Sequence, residues 1–121
     1  MIIYENIIID AGNLVEALGT DFIILFGENA PSTLKDYCYL VKVKKAESEI
    51  RIGDLILIND NEFKIKAIGD IAQRNLEELG HVTINFKGDE SILLPGTIIV
   101  EEKEKPNINV GDKIIIRRNV K

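Results

Sequence analysis

The sequence predicts an all-β fold, a small barrel-type domain with two short helices, on three observations. The 121-residue chain has 22 isoleucines and 7 valines against 11 leucines, and β-branched side chains favour strands over helices. Several apolar runs of strand length are bounded by turn residues. A Gly-Asp pair precedes an Ile-rich run twice, which is turn chemistry common in small barrels. The length predicts one domain spanning residues 1–121.

The first third of the chain alternates strands with short helical turns. Residues 2–9 and 22–26 are short apolar runs rich in β-branched and aromatic residues, and both predict strands. Between them, residues 12–19 predict a short helix, with leucines four positions apart and a terminal glycine. Residues 31–36 predict a turn or a single helical turn, and residues 37–43 then alternate towards a strand.

The middle and the end of the chain share a repeated segment. Residues 50–58 and 108–116 both read apolar, polar, apolar, Gly-Asp, any residue, then an Ile-rich run. We interpret this as recurring turn chemistry rather than as a duplicated functional unit. After the first copy, residues 59–61 predict a tight turn into residues 62–68, whose strict alternation is typical of a half-buried hairpin strand.

The clearest helix is predicted over residues 71–79. It follows Asp70, with Gln73 at capping-box spacing, and it ends at Gly80. An apolar stripe of Ala72, Leu76 and Leu79 predicts that it lies against the body of the protein. The remaining predictions are strands at 82–86 and 92–100 and a solvated hairpin tip at 101–105.

Charge and composition exclude several classes of function. The formal net charge is −5, which disfavours a basic nucleic-acid interface or binding to an anionic membrane. The apolar runs are too short to span a bilayer and the N-terminus lacks a signal-peptide pattern, so we expect a soluble cytoplasmic protein. A single histidine and a single cysteine give no metal-binding cluster, and neither a metal nor another cofactor is expected.

His81 is the candidate catalytic residue. It follows the glycine that ends the predicted helix, and the alternation of residues 81–86 places His81 and Thr83 on the polar face of a strand. A solvated imidazole titrates near pH 6.5, and its neutral form has a nucleophilic nitrogen that can accept a phosphoryl group. Thr83 is then a candidate partner for the other ring nitrogen or for a phosphoryl oxygen. Alternatively, His81 only caps the helix.

The residues around His81 also carry a family resemblance. The string from Asn75 to Thr83, followed by Leu94-Pro95-Gly96-Thr97-Ile98, resembles the IIA component of the glucitol/sorbitol phosphoenolpyruvate-dependent sugar phosphotransferase system. Matching features upstream are Ala30-Pro31, Leu34, Tyr37-Cys38 and Ala67-Ile68-Gly69. The resemblance covers the chain from about residue 5 to its end.

The resemblance implies a cytoplasmic phosphocarrier with a barrel-type fold. Such a IIA component accepts phosphate from the phosphohistidine of HPr on a histidine. It passes the phosphate to a cysteine of the IIB unit, and the IIB and IIC components then phosphorylate and import the polyol. Phosphoryl transfer between proteins requires an accessible nucleophile and no metal. On this interpretation His81 is the acceptor and Thr83 lies beside it, with HPr and the IIB/IIC components as partners.

One departure from the family pattern keeps a second interpretation open. The family's phosphoryl-accepting histidine lies a few residues after the Tyr-Cys pair, where this chain has Leu40, Val41 and Lys42. Either His81 carries the phosphate, or the chain is a non-catalytic regulatory or binding module on the same scaffold. Exposed edge strands in such an Ile-rich chain also leave a homodimer open.

Overall fold

Nine β-strands dominate the computed structural model, which describes residues 1–119. The strands are β1 (Ile2–Ile7), β2 (Asp10–Ala11), β3 (Phe22–Gly27), β4 (Tyr39–Val41), β5 (Leu55–Ile58), β6 (Asn61–Ile68), β7 (Val82–Asn85), β8 (Thr97–Val100) and β9 (Lys113–Arg117). Two helices, α1 (Ser32–Lys35) and α2 (Ala72–Leu79), and two 3₁₀ turns, Val15–Leu18 and Glu90–Ile92, connect them. The predicted all-β class with two short helices is confirmed.

The strands form one sheet in the order β1-β9-β5-β6-β8-β7-β3-β4-β2. The pairs β3–β4 and β7–β8 are parallel and the others are antiparallel. The two end strands, β1 and β2, are separated in sequence only by Ile8 and Ile9. The Ile8 amide donates to the carbonyl of Asp112 before β9, and the Ile9 amide donates to the carbonyl of Leu40 in β4. The sheet therefore curls until its two ends meet along one segment, a looser arrangement than a regular barrel.

The exposed edge that the sequence suggested is partly covered. On the side of β1 away from β9, the Glu47 amide donates to the Ile3 carbonyl over 2.7 Å. The Lys44 ammonium donates to the Glu5 carbonyl over 2.9 Å. Because these donors occupy backbone acceptors of β1, less of this edge is free to pair with a second chain.

The core fills the inside of the curled sheet with aliphatic and aromatic side chains. Alternate residues of the strands point inward, and the largest side chains that are fully buried are Tyr4, Tyr39, Phe63 and Phe86. A smaller apolar cluster, Phe26, Ala30, Cys38 and Leu40, lies apart from this main core. We call it the outer cluster. It supports the surface on which the candidate site lies.

The two Gly-Asp segments form equivalent turns next to each other in the sheet. In each copy the aspartate carboxylate accepts a hydrogen bond of 2.7 Å from the amide three residues earlier, at Arg51 and at Asn109. The strands that follow, β5 and β9, are antiparallel neighbours. The repeat is turn chemistry, as predicted, and it builds two adjoining strands.

Three local predictions need correction. α2 begins without a capping box, because Gln73 turns away from the helix: its carbonyl oxygen accepts from the Ile50 amide, and its amide donates to the Ser48 carbonyl. The strand predicted at 92–100 is reduced to β8, since the chain first makes a 3₁₀ turn and then passes Pro95-Gly96. Residues 101–105 are not a hairpin tip, because β9 pairs with β1 and β5 rather than with β8.

None of the helices in the described part of the chain is both long and apolar enough to cross a lipid bilayer.

Candidate functional site

The end of α2 positions His81. Gly80 adopts a left-handed conformation with φ of +70°, its amide donates to the Leu76 carbonyl, and the His81 amide donates to the Asn75 carbonyl over 3.1 Å. The bond from Gly80, with its left-handed backbone, is that of an αL cap, which stops the helix and turns the chain into the next strand. His81 therefore leaves the helix in a fixed direction and leads directly into β7.

Two glycines allow this helix end to lie against β3. A Cβ atom on Gly80 would come within 2.7 Å of the Gly27 nitrogen, and one on Gly27 would come within 2.5 Å of the Leu79 carbonyl oxygen. Both separations are far shorter than ordinary van der Waals contact, so neither position has space for a side chain. The contact of Gly27 with Gly80 brings His81 onto the outer surface of β3.

His81 stacks on Phe26 as a consequence. The ring centroids are 4.1 Å apart and the ring planes are inclined by 11°, so the two faces are nearly parallel. In the pairing of β3 with β4, Phe26 lies beside Leu40. The row His81, Phe26, Leu40 thus crosses the outer surface of the sheet, with the imidazole half-buried and the other two side chains buried.

A cavity of about 380 Å³ opens beside the imidazole. Its walls are mostly apolar and come from four parts of the chain: Leu18, Ile24, Phe26, Leu34, Tyr37, Cys38 and His81. Besides the imidazole, the polar side-chain groups in this wall are the Tyr37 hydroxyl and the Cys38 thiol. Among the described residues, no lysine or arginine lines the cavity.

Burial in this apolar wall lowers the pKa of His81 below its ordinary value of 6.5. Removing water disfavours the imidazolium form, so the ring is neutral at pH 7 and one nitrogen carries a free electron pair. A neutral imidazole with an accessible edge is able to act as a nucleophile towards phosphorus.

Cys38 shares the cavity, but as a buried thiol. Its side chain is 1% exposed and donates to the Leu34 carbonyl over 3.2 Å. Burial raises the pKa of the thiol above its ordinary value, so it stays protonated at neutral pH. Cys38 therefore belongs to the packing of the outer cluster.

Thr83 lies on β7 but not beside the His81 ring, as the predicted supporting role would require. It is half-buried, pairs with Ile24 of β3, and lines a separate cavity of about 500 Å³ with Asn85, Thr97 and residues of the 90–94 segment. No hydrogen bond among residues 1–119 joins its side chain to His81. A supporting role for Thr83 towards the ring stays a prediction.

The segment Leu40-Val41-Lys42 has no imidazole and divides between two environments. Leu40 belongs to the outer cluster, Val41 is fully buried in the main core, and Lys42 is exposed. Of the three, only Lys42 is accessible. Within residues 1–119, no three side chains of His, Cys, Asp or Glu are grouped so as to hold a metal ion.

Comparison with known proteins supplies the family. The sequence profile described as PTS system glucitol/sorbitol-specific IIA component matches residues 3–115, nearly the whole chain. The chain belongs to this family. It is 32% identical over 100 residues to the glucitol/sorbitol-specific EIIA component of Escherichia coli (strain K12), a stretch that is 82% of this chain and 81% of that relative. The corresponding component of Shigella flexneri matches with the same identity and coverage.

A solved structure supports the same assignment for the fold. The chain is similar to a PTS system IIA component from Enterococcus faecalis V583, with a TM-score of 0.80, 26% identity, and coverage of 92% of this chain and 97% of that one. This glucitol/sorbitol-type IIA protein is thus a phosphocarrier of the sugar phosphotransferase system. Membership of the family does not by itself assign the residue that carries the phosphate.

Some features of the site have no clear signal in the sequence. Phe26 looks like any other strand residue, and the Gly27–Gly80 contact joins positions more than fifty residues apart. The helix cap did have a signal in the sequence, because Gly80 and His81 directly follow the predicted helix. The stack and the apolar wall follow from tertiary packing.

Proposed function

We propose that His81 is the phosphoryl acceptor of this IIA component, in the cytoplasm. A ring nitrogen attacks the phosphorus of phosphohistidine on HPr, and a new N–P bond forms on His81 as the N–P bond to HPr breaks. The HPr histidine leaves as neutral imidazole after taking up a proton, and His81 gives up the proton of its other ring nitrogen. In the second step a thiolate of the IIB component attacks the same phosphorus, and His81 leaves as neutral imidazole after taking up a proton. The IIB/IIC components then deliver the phosphate to the polyol.

The observation that carries this proposal is the state of the sole histidine. His81 is half-buried rather than sealed, it lies in the wall of an open cavity, and its pKa is lowered by burial so that the ring is neutral. Stacking on Phe26 covers one face of the ring, and the residue as a whole remains partly exposed. The apolar wall suits contact with the surface of another protein.

The test is phosphorylation of the full chain with phosphoenolpyruvate, enzyme I and HPr. We expect a label that is stable in base and labile in acid, and mass spectrometry under alkaline conditions should locate it on His81. His81→Gln should abolish the label, whereas Cys38→Ser should retain it, because the thiol is not the acceptor. A label retained by His81→Gln would reject the assignment.

A second candidate function follows from the departure at Leu40-Val41-Lys42. A regulatory or binding module on the same scaffold would form complexes with HPr or with IIB without carrying phosphate. The same experiment separates the two functions: complex formation in the absence of any phosphohistidine on the wild-type chain would favour the binding module.

A further inference from the structure

A second cavity, separate from the one beside His81, is lined by lysines. It has a volume of about 580 Å³ and lies where the 2–11 segment passes from β9 to β4. Lys42 and Lys44 extend from the end of β4 and Lys113 from the start of β9, and Glu5, Asn6, Ile7 and Ile9 complete the wall. We call it the lysine cavity.

The lysine cavity has a local charge opposite to that of the whole protein. Three ammonium groups face one carboxylate, which gives a formal charge of +2 in a chain whose net charge is −5. Lys113 is 3.7 Å from the Glu5 carboxylate, so this pair is already partly neutralised. Lys44 donates to the Glu5 backbone carbonyl, which is a neutral acceptor. Lys42 has no carboxylate within 4 Å among residues 1–119.

In another cavity, which contains three lysines, carboxylates neutralise the positive charge more completely. Its wall contains Lys87, Lys103 and Lys105, and each of these ammonium groups lies within 4 Å of a glutamate carboxylate. Within residues 1–119, Lys42 and Lys44 both lack a carboxylate within 4 Å, and they share one cavity wall. Such uncompensated charges beside a concave surface attract anions.

The floor of the lysine cavity is held in place. Asn6 is nine-tenths buried, and its amide donates to the Lys42 carbonyl and to the Tyr4 hydroxyl, both over 2.8 Å. These bonds fix the backbone of Lys42 against β1. Ile7 and Ile9 add an apolar surface, which lowers the local dielectric constant and strengthens the field of the ammonium groups.

We propose that the lysine cavity binds a dianionic oxyanion, either inorganic phosphate or a phosphate monoester. The charge of +2 matches that of the dianion, and the lysines provide ammonium donors on flexible stems that suit tetrahedral phosphate oxygens. Glu5 opposes binding unless it keeps its contact with Lys113, so Lys42 and Lys44 are expected to make the direct contacts. The proposal does not depend on the role of His81.

The experiment is a titration of the isotope-labelled full chain with inorganic phosphate, followed by amide NMR in a zwitterionic buffer at constant ionic strength. Glycerol phosphate provides a second arm for a monoester, and chloride provides the anion control. We expect saturable shifts at the amides of residues 5–9, 42–44 and 113. Screening should weaken the binding as salt rises from about 0.02 to about 0.2 M.

A matched pair of variants makes the result decisive. Lys42→Gln and Lys64→Gln change the net charge equally, and Lys64 is exposed on β6 outside the lysine cavity. Lys42→Gln should weaken phosphate binding about threefold to fivefold, as expected for one exposed charge contact, and Lys64→Gln should have little effect. Lys44→Gln, at the other expected contact, should weaken binding to a similar extent and gives an independent check if Lys42→Gln does not fold. Shifts that do not saturate, that chloride reproduces, or that both variants reduce equally would overturn the proposal.

Discussion

The imidazole of His81 lies nearly parallel to the phenyl ring of Phe26, with 4.1 Å between the ring centroids. Phe26 is 8% exposed and is anchored in the outer cluster, so it provides a fixed surface for the half-buried imidazole. The stack therefore sets both the orientation of the ring and its loss of water. It connects the packing of β3 to the chemistry proposed for His81.

Replacing Phe26 by Leu should raise the pKa of His81 towards 6.5, because a smaller side chain admits water to the ring face. The change should also remove the ring-current shift of the imidazole protons. NMR titration of the single histidine measures both effects. Phe22→Leu is the matched control, since Phe22 lies on the same face of β3 but lines the other cavity. An unchanged pKa in Phe26→Leu would show that the stack does not control the ionisation of His81.

The contact between Gly27 and Gly80 should make Gly80→Ala costly. Alanine there is strained by the positive φ, by about 1 kcal/mol, and its Cβ also meets the Gly27 backbone, so we expect a total loss above about 2 kcal/mol. Gly111→Ala isolates the first effect, because Gly111 has φ of +96° and a Cβ added there would have no other atom within 4 Å. Urea unfolding of both variants tests this difference. Equal losses would mean that the backbone relaxes around the new methyl group.

Much of the fold was predictable because local patterns determine it. The strict alternation of residues 62–68 is found in β6, and the glycine after residues 71–79 ends α2 with the expected left-handed conformation. The two Gly-Asp turns were visible for the same reason, since the aspartate bonds within its own turn. Gln73 shows the limit: its spacing suited a capping box, but a more distant segment offered the amide of Ile50 and the carbonyl of Ser48.

The candidate site was predictable only in part. His81 was identified because it is the sole imidazole and follows a helix-ending glycine. Its stack on Phe26 depends on how α2 meets β3, which no local pattern encodes. The alternation predicted that Thr83 and His81 share a face of β7. In the structure Thr83 lines one cavity, with Phe22, and His81 lines another, with Phe26.

Acidification should destabilise the wild-type protein more than His81→Gln. Burial lowers the folded-state pKa of His81 below the unfolded value of about 6.5, so the unfolded chain binds more protons between these two values. The free energy of unfolding therefore falls as the pH drops below about 6.5 and reaches a plateau below the folded-state pKa. Chemical unfolding of both proteins at several pH values measures this, and the difference between them removes the contribution of the carboxylates. Parallel pH profiles would contradict the burial of the ring.

Cys38 should react slowly with thiol reagents in the folded protein. Its side chain is 1% exposed, its thiol donates to the Leu34 carbonyl, and burial raises its pKa. The reactive thiolate is therefore scarce and inaccessible at neutral pH. Reaction with Ellman's reagent should be complete only in denaturant. Fast reaction of the native protein would show that the outer cluster opens readily.

The paired Gly-Asp turns allow a test of one buried charge. The Asp54 side chain is 3% exposed and accepts a hydrogen bond from the Arg51 amide. Its carboxylate also lies 2.9 Å from Arg118 Nε, and this contact is an ion pair whose angle does not meet the geometry of a hydrogen bond. Asp112 makes the same turn bond but is only half-buried, and no lysine or arginine of residues 1–119 forms an ion pair with it. Asp54→Asn should keep the turn bond and leave Arg118 without its counter-charge, for a loss of about 2 to 3 kcal/mol.

Asp112→Asn should cost below about 0.5 kcal/mol, because the asparagine oxygen keeps the turn bond and no ion pair is lost. Urea unfolding of the two variants side by side separates the turn geometry, which they share, from the ion pair, which only Asp54 makes. A loss of the same size in both would mean that the contact with Arg118 contributes nothing to stability. In that case the turn bond common to the two copies, rather than the buried charge, would be what the aspartate provides at the start of β5.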